Sequence, residues 1–265
     1  MTVLAWTTLL LLAVAAWAGP TWRPRPLPGV DRDRAWTIGH RGARGVRREN
    51  TVEAFRLALQ RCDGIETDVQ RTRDGRLVLW HDFDCHGHAV RDASLAELRD
   101  VEPSLATVDD LVRLAHAHPG TVLNLEIKSR PEPRRAWHLE RDLLRAVRDA
   151  DLSDRVLVSS FDPLALARVR LCAPSVRIAL LIAPELPRLL RDGALARWLH
   201  VDALHPQQDQ VDADLIERSG WRELPVHVWT VNDPDRMRAL VRSGASALIG
   251  DDPDTLARHG KGTDA

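Results

Sequence analysis

The feature that most constrains this chain is a repeated alternation of short apolar runs with longer amphipathic stretches, from Ala35 almost to the C-terminus. Eight of these apolar runs have the length and composition of buried strands. The predicted strands are Trp36–His40, Ile65–Gln70, Val122–Lys128, Val156–Phe161, Val176–Ile182, Ala203–His205, Val226–Val231 and Ala247–Gly250. The predicted helices are Thr51–Arg61, Val108–His116, Arg135–Ala150, Pro163–Leu171, Asp212–Ser219 and Asp235–Arg242. Strands that alternate with helices form parallel βα units, so the chain is predicted to be an α/β protein, a (β/α)8 TIM barrel.

One loop of the predicted barrel is longer than the others. After the second predicted strand, Asp74-Gly75 is a hairpin-turn signal, and Leu77–Trp80 is a further short extended run. We therefore expect a short insertion in the second βα loop.

The N-terminal segment differs from the rest of the chain in composition. Residues 1–18 contain an apolar run that is slightly shorter than the roughly 20 residues needed to span a bilayer. Ala16-Trp17-Ala18 has the small-x-small form that signal peptidase accepts, but no lysine or arginine precedes the run. Residues 1–18 are therefore predicted to be a signal peptide or an N-terminal membrane anchor. The protein would be exported (extracellular or periplasmic) or membrane-anchored, and cleavage or retention of the segment stays open.

The remaining boundaries follow from composition. Residues 19–34 form a Pro/Arg-rich linker, residues 35–259 the predicted barrel domain and residues 260–265 a tail. The barrel region has the size usual for this fold, about 200 residues or more.

Charge and cysteine content exclude several classes of protein. The formal net charge of −1 argues against the basic surface of a nucleic-acid-binding protein, so no nucleic-acid partner is expected. Cys62, Cys85 and Cys172 are too few and too scattered for a disulfide framework or a zinc site. A single disulfide with one leftover thiol stays open.

Four charged side chains lie on predicted strands. Glu66 and Asp68 are two residues apart and point to the same face, and Glu126 and Lys128 repeat this spacing on another strand. A parallel barrel strand has no solvated face, because one side meets the helices and the other fills the barrel. Unpaired charges buried against helices are costly, so we expect these residues at the C-terminal mouth of the barrel. Three carboxylates beside a lysine then indicate a divalent cation that faces a phosphate.

Two histidines lie near these carboxylates. His40 ends the first predicted strand, and His81 ends the short run in the second βα loop. Active sites of barrel enzymes lie at this rim, where an imidazole pair can supply a general base and a general acid near neutral pH. The sequence contains no Walker loop, no HExxH motif and no G-x-S-x-G elbow.

At these residues the sequence resembles the glycerophosphodiester phosphodiesterase family. The first block reads H-R-G-A-R-G-V-R-R-E-N-T-V-E-A-F (His40–Phe55), and the second reads D-G-I-E-T-D-V-Q-R-T-R-D-G-R-L-V-L-W-H-D (Asp63–Asp82). Shorter blocks follow in family order: N-L-E-I-K (Asn124–Lys128), V-S-S-F (Val158–Phe161), A-L-H-P (Ala203–Pro206), V-W-T-V-N (Val228–Asn232) and I-G-D-D-P (Ile249–Pro253). The order of the blocks carries the resemblance more than any single block does.

The resemblance implies a barrel of the phospholipase C-like (PLC-like) phosphodiesterase type. It also implies metal-dependent hydrolysis of glycerophosphodiesters to glycerol phosphate and an alcohol. Glu66, Asp68 and Glu126 would bind one divalent cation, Ca²⁺ or Mg²⁺. His40 and His81 would be the catalytic acid/base pair.

Other site residues are implied in the same way. Arg41 and Lys128 would contact the phosphate, and Glu49 would help to shape the site. Trp229 would line the pocket or serve as an aromatic residue of the barrel interior, and His205 is similarly ambiguous.

The chain departs from the family pattern at two points. Arg48 replaces the proline of the P-E-N-T element, and Phe83–His88 replaces an aspartate-rich stretch. The segment that follows looks short, which leaves the substrate open between a small-molecule glycerophosphodiester and a lysolipid. The alternatives are a lysophospholipase D that acts on lysophospholipids at a membrane, to which the N-terminus would attach it, and a non-catalytic phosphodiester-binding protein.

Overall fold

The computed structural model describes residues 22–25, 27, 34–129, 138–187, 191, 196, 198–211, 215–216 and 224–260. The predicted signal peptide or anchor, and most of the predicted linker and tail, lie outside this range. The predicted helix Asp212–Ser219 lies largely outside it, as does the start of the predicted helix Arg135–Ala150.

Eight parallel strands form the barrel that the sequence predicts. The strands of the described residues are, in chain order, β1 (Trp36–Gly39), β2 (Gly64–Arg71), β3 (Leu77–Leu79), β4 (Asp84–Cys85), β5 (His88–Ala89), β6 (Val122–Ile127), β7 (Val156–Ser160), β8 (Arg177–Ile182), β9 (Ala203–Pro206), β10 (His227–Val228) and β11 (Ala247–Gly250). The order around the barrel is β10-β11-β1-β2-β6-β7-β8-β9. Parallel bridges from Leu204 to Val226 and from Gln207 to Trp229 join β9 to the β10 region and close the ring.

Helices lie between the barrel strands. The described α-helices are α1 (Val52–Leu59), α2 (Leu95–Val101), α3 (Val108–Ala117), α4 (His138–Asp149), α5 (Pro163–Cys172), α6 (Pro234–Arg242) and α7 (Pro253–His259). Neither α2 nor α7 is among the helices predicted from the sequence. Both begin with standard caps, since α2 has a Ser94–Glu97 capping box and α7 begins with Pro253 after the side-chain cap of Asp252.

Each barrel strand is buried on both faces. One face points inward, where Trp36, Ile38, Leu157 and Ile249 belong to a single apolar cluster. The other face packs against the helices in a larger cluster that includes Phe55 and residues of α3, α4 and α5. The period of two along each strand therefore decides which side chains reach the barrel interior and its mouth.

The insertion after β2 occupies residues 72–107. β3 pairs antiparallel with β2 across a turn at Gly75, whose φ of +83° suits glycine. A β4–β5 hairpin, a short 3₁₀ helix (Val90–Asp92) and α2 follow. The predicted hairpin signal is confirmed, and the insertion adds the β4–β5 hairpin and α2 to it.

A short N-terminal strap, residues 22–25 and 27, crosses the other end of the barrel. Arg25 bonds to the carboxylate of Asp202, which directly precedes β9, and to the carbonyl oxygen of Val176, which directly precedes β8. Leu27 packs into the interior cluster beside Trp36. The strap therefore lies at the N-terminal ends of the strands, opposite the mouth.

The structure also answers two questions that the sequence raised, on cysteine pairing and on membrane-spanning helices. Cys62, Cys85 and Cys172 are all free, so no disulfide joins any two of them. Within the described ranges, no helix has the length and apolar character needed to cross a bilayer.

Candidate active site

Three acidic side chains meet at the C-terminal mouth of the barrel. Glu66 and Asp68 point inward from β2, and Glu126 points inward from β6, where it is the register partner of Asp68. One carboxylate oxygen from each of the three lies within 4.8 Å of the others. All three are buried, since their exposed fractions are 5%, 1% and 9%. The structure thus brings together the three predicted metal ligands.

This acidic triad fits a hard divalent cation. Its donors are carboxylate oxygens, the ligands that Ca²⁺ and Mg²⁺ prefer. Oδ1 of Asp68 is buried and makes no hydrogen bond. Its Oδ2 accepts a hydrogen bond of 2.9 Å from the Asn50 side-chain amide, which is itself held by Thr67. Asp68 is therefore oriented through Oδ2, while Oδ1 has the Lys128 ammonium near it, at 3.5 Å, and could also bind a cation.

The charges of the triad oppose one another. Burial, with the nearby charges of Asp68 and Glu126, raises the pKa of Glu66 well above its ordinary value. Burial and the charge of Asp68 raise the pKa of Glu126 to about 7. Burial would also raise the pKa of Asp68, but Lys128 and Arg41 hold it below its ordinary value. A cation at this position would relieve the repulsion that raises the first two pKa values.

His40 directly follows β1, on the rim beside the triad. Its Nδ1 lies 2.6 Å from Oδ1 of Asp251, and its Nε2 lies 3.9 Å from Oε2 of Glu66. Asp251 is fixed in turn, because Oδ2 accepts a hydrogen bond of 2.7 Å from Asn232. The carboxylate on Nδ1 leaves Nε2 to face the mouth, which is the arrangement of an oriented acid/base histidine.

Arg41 lies in a tight turn that joins β1 to α1. Its φ is +47°, and its backbone N–H donates to Oε2 of Glu66 at 2.8 Å. Its guanidinium donates to Oε1 of Glu49 at 2.8 Å and lies 3.4 Å from Oδ2 of Asp68. Gly42 has φ +81°, and a Cβ there would lie 2.7 Å from the backbone of Ala54. This glycine lets α1 pack close enough for the turn to reach the triad.

Lys128 supplies a second positive charge. Its Nζ lies 3.0 Å from Oε1 of Glu126 and 3.5 Å from Oδ1 of Asp68. The ammonium is largely buried, and these carboxylates raise its pKa although burial alone would lower it. Arg41 and Lys128 therefore stay charged near neutral pH and flank the triad, as expected for groups that neutralise a phosphate.

His81 approaches the triad from the insertion. The N–H of the preceding residue, Trp80, donates to the carbonyl oxygen of Asp68 at 3.0 Å, and the His81 ring bonds to Asp82 at 2.7 Å. Burial lowers the pKa of His81, and the positive charges of Lys128 and Arg41 lower it further, against the effect of Asp68. The lowered pKa favours the neutral imidazole within the field of the same site.

Trp229 lies on the other wall of the mouth. Its indole packs edge-to-face on Phe161, with ring centroids 5.8 Å apart, and donates to the carbonyl oxygen of His205 at 2.6 Å. His205 points into the barrel beneath it and lies 2.9 Å from His227, and burial lowers the pKa of both imidazoles. Trp229 packs against the interior cluster, its role in lining the pocket stays a prediction, and His205 is an interior residue.

Sequence reasoning missed the partners of these groups. Asp251, Asn232 and Asn50 all lie within the blocks that carry the resemblance, yet no role was expected for them. Asn50 has φ +54°, a conformation that asparagine tolerates better than most residues. The signal available in the sequence was an asparagine directly after a predicted site residue, Glu49.

The sequence is similar to that of a known family of phosphodiesterases over most of its length. The model of the glycerophosphoryl diester phosphodiesterase family matches residues 40–255. A glycerophosphodiester phosphodiesterase of Caldanaerobacter subterraneus subsp. tengcongensis is 30% identical over 239 residues, which cover 83% of this chain and 95% of that relative.

Solved structures share the barrel. A glycerophosphodiester phosphodiesterase from Parabacteroides distasonis superposes with a TM-score of 0.76 at 23% identity, over 86% of this chain and 97% of that one. A phosphodiesterase of Oleispira antarctica, solved in complex with the product sn-glycerol-3-phosphate, gives a TM-score of 0.72 at 22% identity, over 85% and 96% of the two chains. At these identities the structures confirm the fold.

Proposed function

The chain belongs to the glycerophosphoryl diester phosphodiesterase family, and from this premise we propose that it hydrolyses glycerophosphodiesters to glycerol phosphate and an alcohol by metal-assisted acid/base chemistry. The observation that carries the proposal is the convergence of three carboxylates, two cationic side chains and two histidines at one barrel mouth. The product complex of the Oleispira antarctica relative supports glycerol phosphate as the product.

In this proposal Glu66, Asp68 and Glu126 hold one divalent cation, Ca²⁺ or Mg²⁺. The bound cation would neutralise charge that builds on the phosphoryl oxygens, a stabilisation that is usually the largest catalytic contribution. The side chains of Arg41 and Lys128 bind the phosphate from the sides of the triad. They add positive charge that the buried setting strengthens.

The two histidines move the protons. One imidazole takes the proton of the attacking group, and the other gives a proton to the leaving alcohol, each contributing about 10²–10⁴-fold. Nε2 of His40 is available for this because Asp251 occupies Nδ1. The attacking group is either water or the neighbouring hydroxyl of the glycerol, which would give a cyclic phosphate first.

The test is a substrate panel measured with and without a chelator. Purified protein is given glycerophosphocholine, glycerophosphoethanolamine and lysophosphatidylcholine in Ca²⁺, in Mg²⁺ and in EDTA. Glu126→Ala should lose most activity, and Glu53→Ala, which removes an exposed glutamate on α1, should retain it. Activity on glycerophosphodiesters that EDTA abolishes is the expected result.

Each other outcome selects another interpretation. Cleavage of lysophosphatidylcholine alone would identify a lysophospholipase D. An inert protein with either cation would indicate a non-catalytic phosphodiester-binding protein. Full activity of Glu126→Ala would refute the metal assignment.

For the N-terminus we propose, from the composition of residues 1–18 alone, that the segment directs export or anchors the protein in a membrane. N-terminal sequencing of the protein from fractionated cells distinguishes a cleaved signal from a retained anchor. Recovery of uncleaved protein in the cytosol would refute both.

A further inference from the structure

Gln70 is a buried polar residue that the proposed chemistry does not use. It lies two residues beyond Asp68 on β2 and is 5% exposed. Its Nε2 donates to the carbonyl oxygen of Trp80 at 2.8 Å and to that of Asp82 at 2.6 Å. One side-chain amide therefore holds the two peptide carbonyls that flank His81.

The backbone at His81 needs such support. β3 ends at Leu79, so residues 80–82 lie beyond its pairing with β2. The Trp80 N–H still bonds to the backbone of Asp68, but the carbonyls on either side of His81 bond to Gln70. The His81 ring bonds to Asp82, whose side chain is 74% exposed. An exposed partner restrains the ring weakly, so the backbone fixes its position.

A neutral amide of this length suits the position. Both partners are carbonyl oxygens, so the side chain must present two N–H groups from one atom, which the amide nitrogen does. A carboxylate would set its lone pairs against both carbonyls, and a hydrocarbon would leave both without the donor that Gln70 supplies.

We propose that Gln70 is a positioning residue that holds His81 in register with the acidic triad. The proposal rests on the function proposed above, in which His81 transfers a proton. Asp68 and Gln70 point inward from the same strand, so β2 sets both the cation ligand and the histidine that must face it. A misplacement of about 1 Å is enough to cost roughly 10²-fold in rate.

The test is a double-mutant cycle in the full chain with saturating cation. Gln70→Leu replaces the amide with a somewhat shorter, branched apolar side chain and removes both donors. It should lower kcat about 10- to 100-fold with little change in KM. In a His81→Ala background the same substitution should lower the residual kcat no further, because the group that it positions is gone. Gln60→Leu, which removes an exposed amide at the end of α1, is the matched control and should leave kcat unchanged.

A second measurement does not depend on activity. Hydrogen exchange of the peptide that covers residues 80–82 should be faster in Gln70→Leu than in the wild type, with exchange in β2 itself unchanged. Equal losses of kcat in both backgrounds would mean a purely structural role and would overturn the proposal, as would an unchanged kcat or unchanged exchange. Wild-type protein without activity would refute the proposed function, and the exchange result would still show whether Gln70 holds this segment.

Discussion

Glu126 offers a direct way to measure how strongly the carboxylates of the acidic triad repel one another. Burial and the charge of Asp68 raise its pKa from 4.5 to about 7, even with Lys128 at 3.0 Å. A shift of this size corresponds to about 3 kcal/mol. The folded protein binds this proton more tightly than the unfolded chain, so the free energy of unfolding falls as pH rises from about 4.5 to about 7. Glu126→Gln carries no charge and escapes this loss.

We therefore expect Glu126→Gln to be more stable than the wild type in EDTA at pH 8, by up to about 3 kcal/mol. The difference should shrink through the window from pH 7 to pH 4.5 and vanish below it. Urea unfolding followed by tryptophan fluorescence at several pH values measures both quantities.

Addition of Ca²⁺ or Mg²⁺ should reduce this difference or cancel it. A cation at a hundredfold excess over its Kd stabilises the wild type by about 3 kcal/mol, whereas the variant lacks one ligand and gains less. The variant should also lose activity, because a site residue that destabilises the fold is retained for function. A variant less stable than the wild type in EDTA at pH 8, or a difference that does not depend on pH, would refute the argument.

Three further substitutions test other contacts. Asp251→Asn removes the carboxylate 2.6 Å from Nδ1 of His40. Steady-state kinetics should show that kcat is lowered at least about 10-fold with KM nearly unchanged. A kcat equal to that of the wild type would contradict the role of Asp251 in orienting the ring. Glu102→Gln removes the buried negative charge that pairs with Arg48 and joins the insertion to the loop after β1. Urea unfolding should show that the free energy of unfolding falls by about 1–3 kcal/mol. Arg170→Met removes the buried partner of Asp202 at 2.6 Å and leaves Arg25 as its remaining cation, so the free energy of unfolding should fall by up to about 3–5 kcal/mol while kcat per folded molecule stays the same. A changed kcat would show that this end of the barrel communicates with the mouth.

The barrel could be predicted because its strands and helices are local patterns. Each strand is a short apolar run, and parallel pairing of such runs leaves few other architectures. The least accurate prediction is that of β10, which was expected over Val226–Val231 but covers only His227–Val228. Its flanking residues, Val226 and Trp229, make single bridges to β9 instead of a continuous ladder. Such weak pairing leaves no signal in the sequence.

The two missed helices were too short for periodicity to identify. α2 and α7 each have seven residues, about two turns, and helices of this length depend on tertiary contacts. Their capping residues were readable, since Ser94-x-x-Glu97 is a capping-box signature. Cap signals were therefore more informative here than hydrophobic spacing.

The predicted ligands could be found from spacing along single strands, but their partners could not. Glu66 and Asp68 are two residues apart, which is enough to place them on one face. Asp251 meets His40 across 211 residues of chain, through the pairing of Gly39 with Gly250 in neighbouring strands. Only closure of the ring brings the first and last strands together. Given a closed barrel, the position after β11 would have been a candidate to touch the position after β1.

The N-terminal strap has a practical consequence for how this enzyme can be handled. Trp22 stacks on His200 with ring centroids 4.8 Å apart, and Arg25 bonds to Asp202. Both contacts lie at the N-terminal ends of the strands, opposite the mouth. Cleavage after Ala18 would leave these contacts intact. A resin, affinity tag or fusion partner joined upstream of Trp22 would therefore be attached at the end of the barrel opposite the mouth. Protein immobilised in this way should still bind dissolved substrate at its mouth.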